Sequence, residues 1–248
     1  MDVLHQDFLP AGHSADMPDR AQTTVENIIT SFNLFLNYTF TLLPQVLDGL
    51  KVTLQLFILT LLFSIPLGII TALGRLSKIK IINKITSFYI LIMRGTPLLL
   101  QIVFIFFGLP NLNIVIDRFP AAILAFTLNY GAYFGEIFRA GISSVDSGQY
   151  EASHVLGLSK VDTFFRIILP QAFKTVLPPV ANEIVTLVKD TALVYVIGLD
   201  ELLRVGKIAC NRDSSLLPLF IIGITYLILI GILTKLLNRV EKNYEYYN

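Results

Sequence analysis

Five long apolar runs dominate the pattern of hydrophobic and polar positions along the chain. About 20 residues of helix are needed to cross a hydrocarbon core of about 30 Å, and each run is long enough to do so. Because lipid offers no partner to a free backbone N–H or C=O, each run is predicted to be a membrane-spanning helix. The predicted spans are residues 50–73, 85–108, 120–138, 180–198 and 216–237.

The segments outside these runs are expected at the membrane surface or beyond it. The N-terminal leader is polar, has more acidic than basic side chains and lacks the basic start of a cleavable signal peptide. In the segment after it, Asn33, Asn37 and Pro44 interrupt a short apolar stretch, which favours an interfacial helix over a sixth span. The predicted parts are an extracytoplasmic leader (residues 1–30), an interfacial segment (31–49), the transmembrane domain (50–238) and a cytoplasmic tail (239–248).

Lysines and arginines fall mostly on one side of the predicted spans. Cytoplasmic segments close to span ends are enriched in these residues, so that side is predicted to face the cytoplasm. It contains the long connection 139–179 and the C-terminus, and an odd number of spans then places the N-terminus outside. The residues on that side are Arg75, Lys78, Lys80, Lys84, Arg139, Lys160, Arg166, Lys174, Lys235, Arg239 and Lys242.

The composition excludes several classes of protein. The 248 residues are 54% hydrophobic and 15% charged, whereas a soluble domain carries about 25% charged residues. The formal net charge of +1 provides no global field that would attract nucleic acid. Cys210 is the only cysteine, and the three histidines show no metal-ligand spacing, so we expect neither an internal disulfide nor a metal site.

Small residues at helical spacing predict where the spans touch. Gly131 and Gly135 repeat at i, i+4 in the third span, and Ala121 and Ala125 do the same nearer its start. Such pairs let the backbone of another helix approach closely. We therefore expect another helix to pack against this face of the third span.

Several ionisable residues lie inside the predicted spans, where each costs at least a few kcal/mol if it faces lipid. For Lys189 and Asp190 we favour a position along the path of a zwitterionic solute over mutual neutralisation. For Arg94 a place on this path and a structural role stay open, because a helix break after it would free backbone carbonyls for its guanidinium. Glu136 and Arg139, spaced i, i+3, are predicted to form a structural charge pair.

The connection 139–179 is polar enough to leave the membrane and has a helical pattern. It predicts a short helix over residues 150–156, ended by Gly157, because glycine readily adopts the left-handed conformation that terminates a helix. Ser159, with Asp162 three residues later, is a capping box that begins a second, amphipathic helix. The connection is therefore predicted to form a helical knob in the cytoplasm.

A motif in this connection resembles the EAA loop of the permease subunits of bacterial ABC importers. Only Ser153 departs from that loop, in which alanine usually takes the third position. Further segments are similar to the permeases of polar amino acid importers, the histidine, glutamine, glutamate and arginine group. The matching residues are Glu151-Ala152-Ser153, Gly157, Ile167 and Leu169-Pro170 in the motif, and Arg94-Gly95-Thr96-Pro97-Leu98-Leu99, residues 133–141, Lys189-Asp190-Thr191 and Ile197-Gly198 outside it.

The resemblance implies an all-α integral membrane protein with the architecture of a type I ABC importer permease, that is, five transmembrane helices and a cytoplasmic EAA coupling loop. In that family the short helix of the loop, called the coupling helix, docks in a cleft of a cytoplasmic ATPase subunit. The residues of the ATPase-coupling loop would be Glu151, Ala152, Ser153, Gly157, Leu169 and Pro170.

The resemblance also implies partners in the bacterial cytoplasmic membrane. Two permease chains, identical or paralogous, would enclose the path of a polar amino acid, with two cytoplasmic ATP-binding subunits and an extracytoplasmic solute-binding protein. This chain has no Gly-x-x-x-x-Gly-Lys-Ser/Thr phosphate-binding loop, because Glu201 and Ile208 flank Gly206-Lys207 at the positions that the motif requires. We therefore expect no enzymatic activity and no cofactor on this chain, with ATP and magnesium on the ATPase.

Two alternatives remain. One is a permease of the same type for a different small solute. The other is a five-span channel or membrane enzyme, which is disfavoured because the sequence shows no nucleophile, base or metal constellation at depth and places its clearest polar motif in the coupling loop.

Overall fold

The computed structural model describes residues 17–245, whose regular elements are all helical. The α-helices are α1 (Met17–Leu76), α2 (Lys80–Gly95), α3 (Leu98–Val103), α4 (Arg118–Ser143), α5 (Ser147–Val155), α6 (Lys160–Thr163), α7 (Leu169–Asp190), α8 (Leu202–Asp213) and α9 (Leu217–Glu245). Short π-helical or 3₁₀ segments lie at Phe104–Gly108, Leu109–Leu112, Phe164–Ile168 and Thr191–Ile197. The chain divides into two compact units, Met1–Pro44 and Gln45–Asn248, and the hydrophobic core belongs to the second.

The predicted N-terminal parts fall partly on these elements. Residues 1–16 of the predicted leader lie outside the described residues, whereas 17–30 are helical. Residues 31–49 are helical throughout, and their place at the membrane surface stays a prediction.

Three elements of the described chain are long and apolar enough to cross a membrane. They are Ile29–Leu76 in α1, Leu217–Tyr244 in α9, and the bent pair Lys80–Gly95 and Leu98–Leu112 taken together. Helices α4 and α7, with 26 and 22 residues, are also long enough. Polar and charged side chains, including those of the cavity described below, lower their mean hydropathy, so they do not stand out by composition.

The second predicted span is not a single helix. The structure breaks the predicted helix 85–108 at Thr96 and Pro97, where α2 and α3 meet at 103°. Proline has no N–H to donate and disfavours the helical conformation in the residue before it, and Thr96 is accordingly extended (φ −121°, ψ 145°). The run 85–108 is therefore two helices, and the helix break after Arg94 that the sequence allowed is present.

The fourth predicted span begins earlier and ends earlier than its apolar run. The predicted loop 139–179 ends inside α7, because α6, the π-helical segment and α7 follow one another without interruption from Lys160 to Asp190. After Asp190 the chain tightens into the 3₁₀ segment Thr191–Ile197, and Gly198 leaves it in the left-handed conformation (φ +76°). The return helix of the loop and the fourth span are thus one helical stretch.

Helix α8 has no counterpart among the predicted elements. Glu201 caps its N-terminus, accepting hydrogen bonds from Leu203 N (2.6 Å) and Arg204 N (2.8 Å), and Tyr226 Oη of α9 donates a third at 3.1 Å. The Glu201 side chain is fully buried, and burial raises its pKa to about 7 in spite of these bonds. The cap therefore fixes α8 against α9.

Helix α4 lies at the centre of the core and packs against α1, α2, α3 and α7. A Cβ atom on Gly131 would lie 2.6 Å from Leu67 Cδ2, and one on Gly135 would lie 2.6 Å from Thr71 Cβ. Ala121 and Ala125 are fully buried. The prediction that another helix packs on this face is confirmed, and for the two glycines that helix is α1.

Replacing Gly135 with Ala is expected to destabilise the protein by about 1–3 kcal/mol, because the new methyl group must displace Thr71 from a packed helix contact. The matched control is Gly223→Ala in α9, where a Cβ would meet nothing within 4 Å. The measurement is the thermal unfolding midpoint of both variants in detergent. Equal midpoints would contradict the contact.

Candidate functional site

A cavity of about 590 Å³ opens where the break between α2 and α3 meets α4 and α7. Its wall carries charged, amide and hydroxyl groups, which are unusual within a membrane domain, and this makes the cavity the candidate functional site. The polar and charged lining residues are Arg94, Thr96, Asn129, Tyr130, Tyr133, Glu183, Thr186 and Asp190.

Side-chain amides stabilise the helix break at the cavity wall. The carbonyl of Met93, which the break frees, accepts hydrogen bonds from Gln101 Nε2 and from Asn129 Nδ2, both at 2.9 Å. Gln101 Nε2 also donates to Thr96 O (3.2 Å), and Gln101 Oε1 accepts from Asn129 Nδ2 (3.0 Å). These bonds satisfy backbone groups that would otherwise be unpaired at membrane depth. The freed carbonyl of Met93 is therefore bound by two amides.

Arg94 is the cation of the cavity. It lies in the last turn of α2, beside the break, and its guanidinium carbon is 5.0 Å from the centre of the Tyr133 ring. This is a cation–π contact. Arg94 takes part in none of the ion pairs found among residues 17–245. Its guanidinium is therefore available to a carboxylate.

Two carboxylates of α7 also line the cavity. Glu183, Thr186 and Asp190 line the cavity together because residues three, four and seven positions apart share one face of a helix. Tyr130 Oη donates to Asp190 Oδ2 at 2.7 Å, and Tyr130 is only 2% exposed. A hydrogen bond to a charged acceptor is short and strong, so Asp190 is held in one orientation.

The predicted path residues are not all brought together. Arg94 and Asp190 line the same cavity, whereas Lys189 is exposed and is not among the lining residues. Adjacent residues of a helix point about 100° apart, so Lys189 cannot share the face of Asp190. Its role in solute passage stays a prediction without support from the cavity.

Sequence reasoning left Glu183, Asn129, Tyr130 and Tyr133 out of the site. Glu183 precedes Asp190 by seven residues, which is two helical turns, and this spacing is visible in the sequence. The three residues of α4 gave a weaker signal, because a polar side chain in a span can equally serve helix packing.

The predicted charge pair includes a third residue. Arg139 Nε donates to Glu136 Oε1 at 2.8 Å. Arg75 Nε, at the end of α1, lies 3.7 Å from Glu136 Oε2. The three side chains form a cluster between α1 and α4, apart from the cavity lining.

The coupling loop begins with a capped helix. Helix α5 starts at Ser147, three residues before the predicted start, because Asp146 caps it by accepting from Gly148 N at 2.6 Å. Glu151 therefore lies in the middle of α5. Ser153 is buried and donates to Gln149 O at 2.5 Å, while Ala152 is exposed.

The turn after α5 has the geometry predicted from the sequence. Gly157 is left-handed, with φ +72°. Ser159 Oγ accepts from Asp162 N at 3.1 Å, which caps α6. Val155 and Leu156, just before the turn, are 85% and 75% exposed. Leu169 and Pro170, the last residues of the motif, begin α7.

Among residues 17–245 no three His, Cys, Asp or Glu side chains are grouped closely enough to hold a metal ion.

The chain is similar in sequence to known proteins over most of its length. Residues 64–243 match the family described as binding-protein-dependent transport system inner membrane component. The arginine transport system permease protein ArtQ of Bacillus subtilis (strain 168) is 40% identical over 212 residues, which are 85% of this chain and 97% of that protein. The L-cystine transport system permease protein TcyB of the same organism is 39% identical over 206 residues, 82% of this chain and 88% of that protein.

Solved structures show the same fold. The crystal structure of an amino acid ABC transporter with histidines superposes with a TM-score of 0.79 at 36% sequence identity, over 84% of this chain and 98% of that chain. The inward-facing MetNI methionine ABC transporter, at 18% identity, superposes with a TM-score of 0.65 over 84% of this chain and 98% of that chain.

Proposed function

Because the chain belongs to the family of binding-protein-dependent transport system inner membrane components, we propose that its cavity binds a polar amino acid during import. The chain is the multi-pass, membrane-spanning permease subunit of an ABC importer, and in this family ATP hydrolysis belongs to a separate subunit. Of the alternatives, a permease for another small solute remains an outcome of the test below.

The observation that carries the proposal is the charge arrangement of the cavity. An amino acid presents a carboxylate and an ammonium group a few ångströms apart. The unpaired guanidinium of Arg94 suits the carboxylate, because arginine presents its donors in a fork that matches a carboxylate. Asp190 and Glu183, which line the same cavity, suit the ammonium group.

The same arrangement sets a preference among amino acids. The cavity wall has two carboxylates against one guanidinium, so an additional negative charge on the solute meets repulsion. We therefore propose that neutral and basic amino acids bind in preference to acidic ones. The similarity to permeases named for arginine and for L-cystine supports this preference.

The test measures binding at the cavity itself. Thr186 lines the cavity and is changed to Cys after Cys210 is replaced. In the purified complex of permease and ATPase, arginine or glutamine at millimolar concentration is expected to slow alkylation of this cysteine at least about threefold, and glutamate is expected to have less effect. Protection by none of these amino acids would reject the proposal.

For the assembly we propose two permease chains, identical or paralogous, with two ATP-binding subunits and a solute-binding protein outside. The coupling loop supports the ATPase contact. At the end of its helix α5, Val155 and Leu156 expose two apolar side chains beside the left-handed turn at Gly157. Apolar side chains exposed together on a polar loop are typical of a protein interface. ATP and magnesium are proposed to bind to the ATPase alone.

We also propose that the C-terminus and the coupling loop face the cytoplasm and the N-terminus faces outside, as the lysine and arginine distribution indicates. With Cys210 replaced, a cysteine at Val115 is expected to react with an impermeant thiol reagent in intact cells, whereas one at Ser144 is expected to be protected. Both positions are exposed on the chain. Reversed labelling would reverse the orientation.

A further inference from the structure

A groove of about 660 Å³ runs along α9, outside the cavity and the coupling loop. Its lining changes along its length from apolar to cationic. The lining includes Leu227, Gly231, Thr234, Lys235, Arg239 and Lys242. We call this feature the α9 groove.

The cations of the α9 groove form one stripe. Lys235, Arg239 and Lys242 are spaced four and three residues apart, so they lie one above another on a single helix face. None of them belongs to an ion pair found in the described part of the chain. Three positive charges without an ion-pair partner among the described side chains therefore adjoin the end of an apolar span.

This stripe points away from the rest of the protein. Tyr244 follows Lys235 by nine residues, which places it half a turn round the helix. Its ring packs on Phe173 of α7, with the ring centres 5.1 Å apart. The face that carries Tyr244 is thus the packed face, and the cations lie on the opposite face.

The apolar end of the groove is open. A Cβ atom on Gly231, one turn before Lys235, would meet nothing within 4 Å. Leu227, another turn earlier, is 71% exposed. The open space therefore continues from the cations into the apolar part of the span.

We propose that the α9 groove binds an anionic phospholipid of the cytoplasmic leaflet, with its phosphate at the three cations and an acyl chain over Gly231 and Leu227. Basic groups at the cytoplasmic end of a span attract anionic headgroups. A free phosphate would use the cationic end alone, whereas the groove joins a cationic and an apolar part as a phospholipid does. A second identical chain related by a two-fold axis would place like charges against each other on this face.

The experiment is native mass spectrometry of the intact complex of permease and ATPase, titrated with phosphatidylglycerol or with phosphatidylcholine in detergent. The first variant changes Lys235, Arg239 and Lys242 to Gln. At low salt we expect phosphatidylglycerol to bind it on the order of 100-fold more weakly, since each cation near the headgroup contributes about fivefold. The matched control changes Lys78, Lys80 and Lys84 to Gln, which removes the same charge from another exposed stretch between two spans and is expected to retain binding.

A second variant, Gly231→Leu, separates a lipid from a soluble anion. It leaves every charge in place and fills the apolar end, where the structure has room for the side chain. We expect it to weaken phosphatidylglycerol binding and to leave any binding of inorganic phosphate unchanged. The proposal is overturned if both triple variants lose binding equally, if phosphatidylcholine binds as well as phosphatidylglycerol, or if Gly231→Leu has no effect.

Discussion

Replacing Asp190 with Asn is expected to reduce amino acid uptake by about 10- to 100-fold in proteoliposomes that contain the permease, its ATPase and its solute-binding protein. The estimate is the loss of one hydrogen bond to a charged group, about 1.5–3 kcal/mol. The amide oxygen of Asn still accepts from Tyr130 Oη, so the local structure is retained and only the negative charge is removed. The amount of ATPase bound to the permease is expected to stay unchanged.

Two variants at other positions serve as controls for Asp190→Asn. Tyr130→Phe removes the hydroxyl that orients Asp190 but leaves the carboxylate, so we expect a smaller loss of uptake than for Asp190→Asn. Asp117→Asn makes the same chemical change at an exposed residue outside the cavity. The Asp117 side chain makes no capping hydrogen bond in the native protein, so this variant should retain uptake. Near-normal uptake by Asp190→Asn would remove this residue from the binding site.

Arg94 gives an independent measure of the same site. Its guanidinium touches the Tyr133 ring and no carboxylate of the described chain, so its replacement by Gln breaks no ion pair. If Arg94 binds the solute carboxylate, the variant should lose most of its uptake, whereas its stability should fall only by the loss of one cation–π contact, about 0.5–1 kcal/mol. Solute binding and protein stability can therefore be measured separately in the variants of Arg94 and of Asp190.

The parts of the structure that the sequence predicted correctly depend on local chemistry. Gly157 has φ +72°, and Ser159 accepts from Asp162 N, as residue type and spacing indicated. Gly131 and Gly135 contact α1 because only small residues at i, i+4 allow such an approach. The turn and the cap are decided within a few residues of the chain, and the glycine spacing indicates a helix contact without identifying the partner helix, so a single sequence contains these signals.

The parts that it did not predict depend on neighbours distant in the chain. Whether Lys189 or Asp190 faces the cavity is decided by Tyr130, 60 residues away from Asp190, which binds that carboxylate. The sequence allowed a helix break after Arg94 inside the apolar run 85–108, but the 103° angle of the turn depends on what the two helices pack against and was not predicted. Glu183 enters the site only because α7 turns one face towards the helix break.

Helix α8 shows the same limit in a polar segment. Its sequence has no long apolar run, and it is held by Glu201 at its N-terminus and by Gly206 against Ile222 of α9. A hydropathy pattern recognises lipid-facing helices and passes over a polar helix whose contacts are a cap and a close backbone approach. By contrast, the sequence predicted a helix contact on α4, because small residues at helical spacing indicate such a contact directly.

Replacing Gly157 with Val is expected to abolish uptake and to release the ATPase from the membrane subunit. The residue has φ +72°, a conformation that costs other residues about 1–2 kcal/mol and is a genuine outlier for a β-branched side chain. A Cβ at this position would meet nothing within 4 Å, so the effect arises from the backbone and not from a clash. The turn would therefore relax, and Val155 and Leu156 would lose the orientation in which they are presented.

Gly157→Asn is the matched control, because asparagine tolerates the left-handed conformation far better than valine. The measurement is the amount of ATPase that co-purifies with tagged permease, together with uptake, at equal levels of permease in the membrane. We expect the Asn variant to keep most of both and the Val variant to lose both. If the Val variant retains its ATPase and its uptake, the turn at Gly157 does not position the coupling helix, and Val155 and Leu156 are not the ATPase contact.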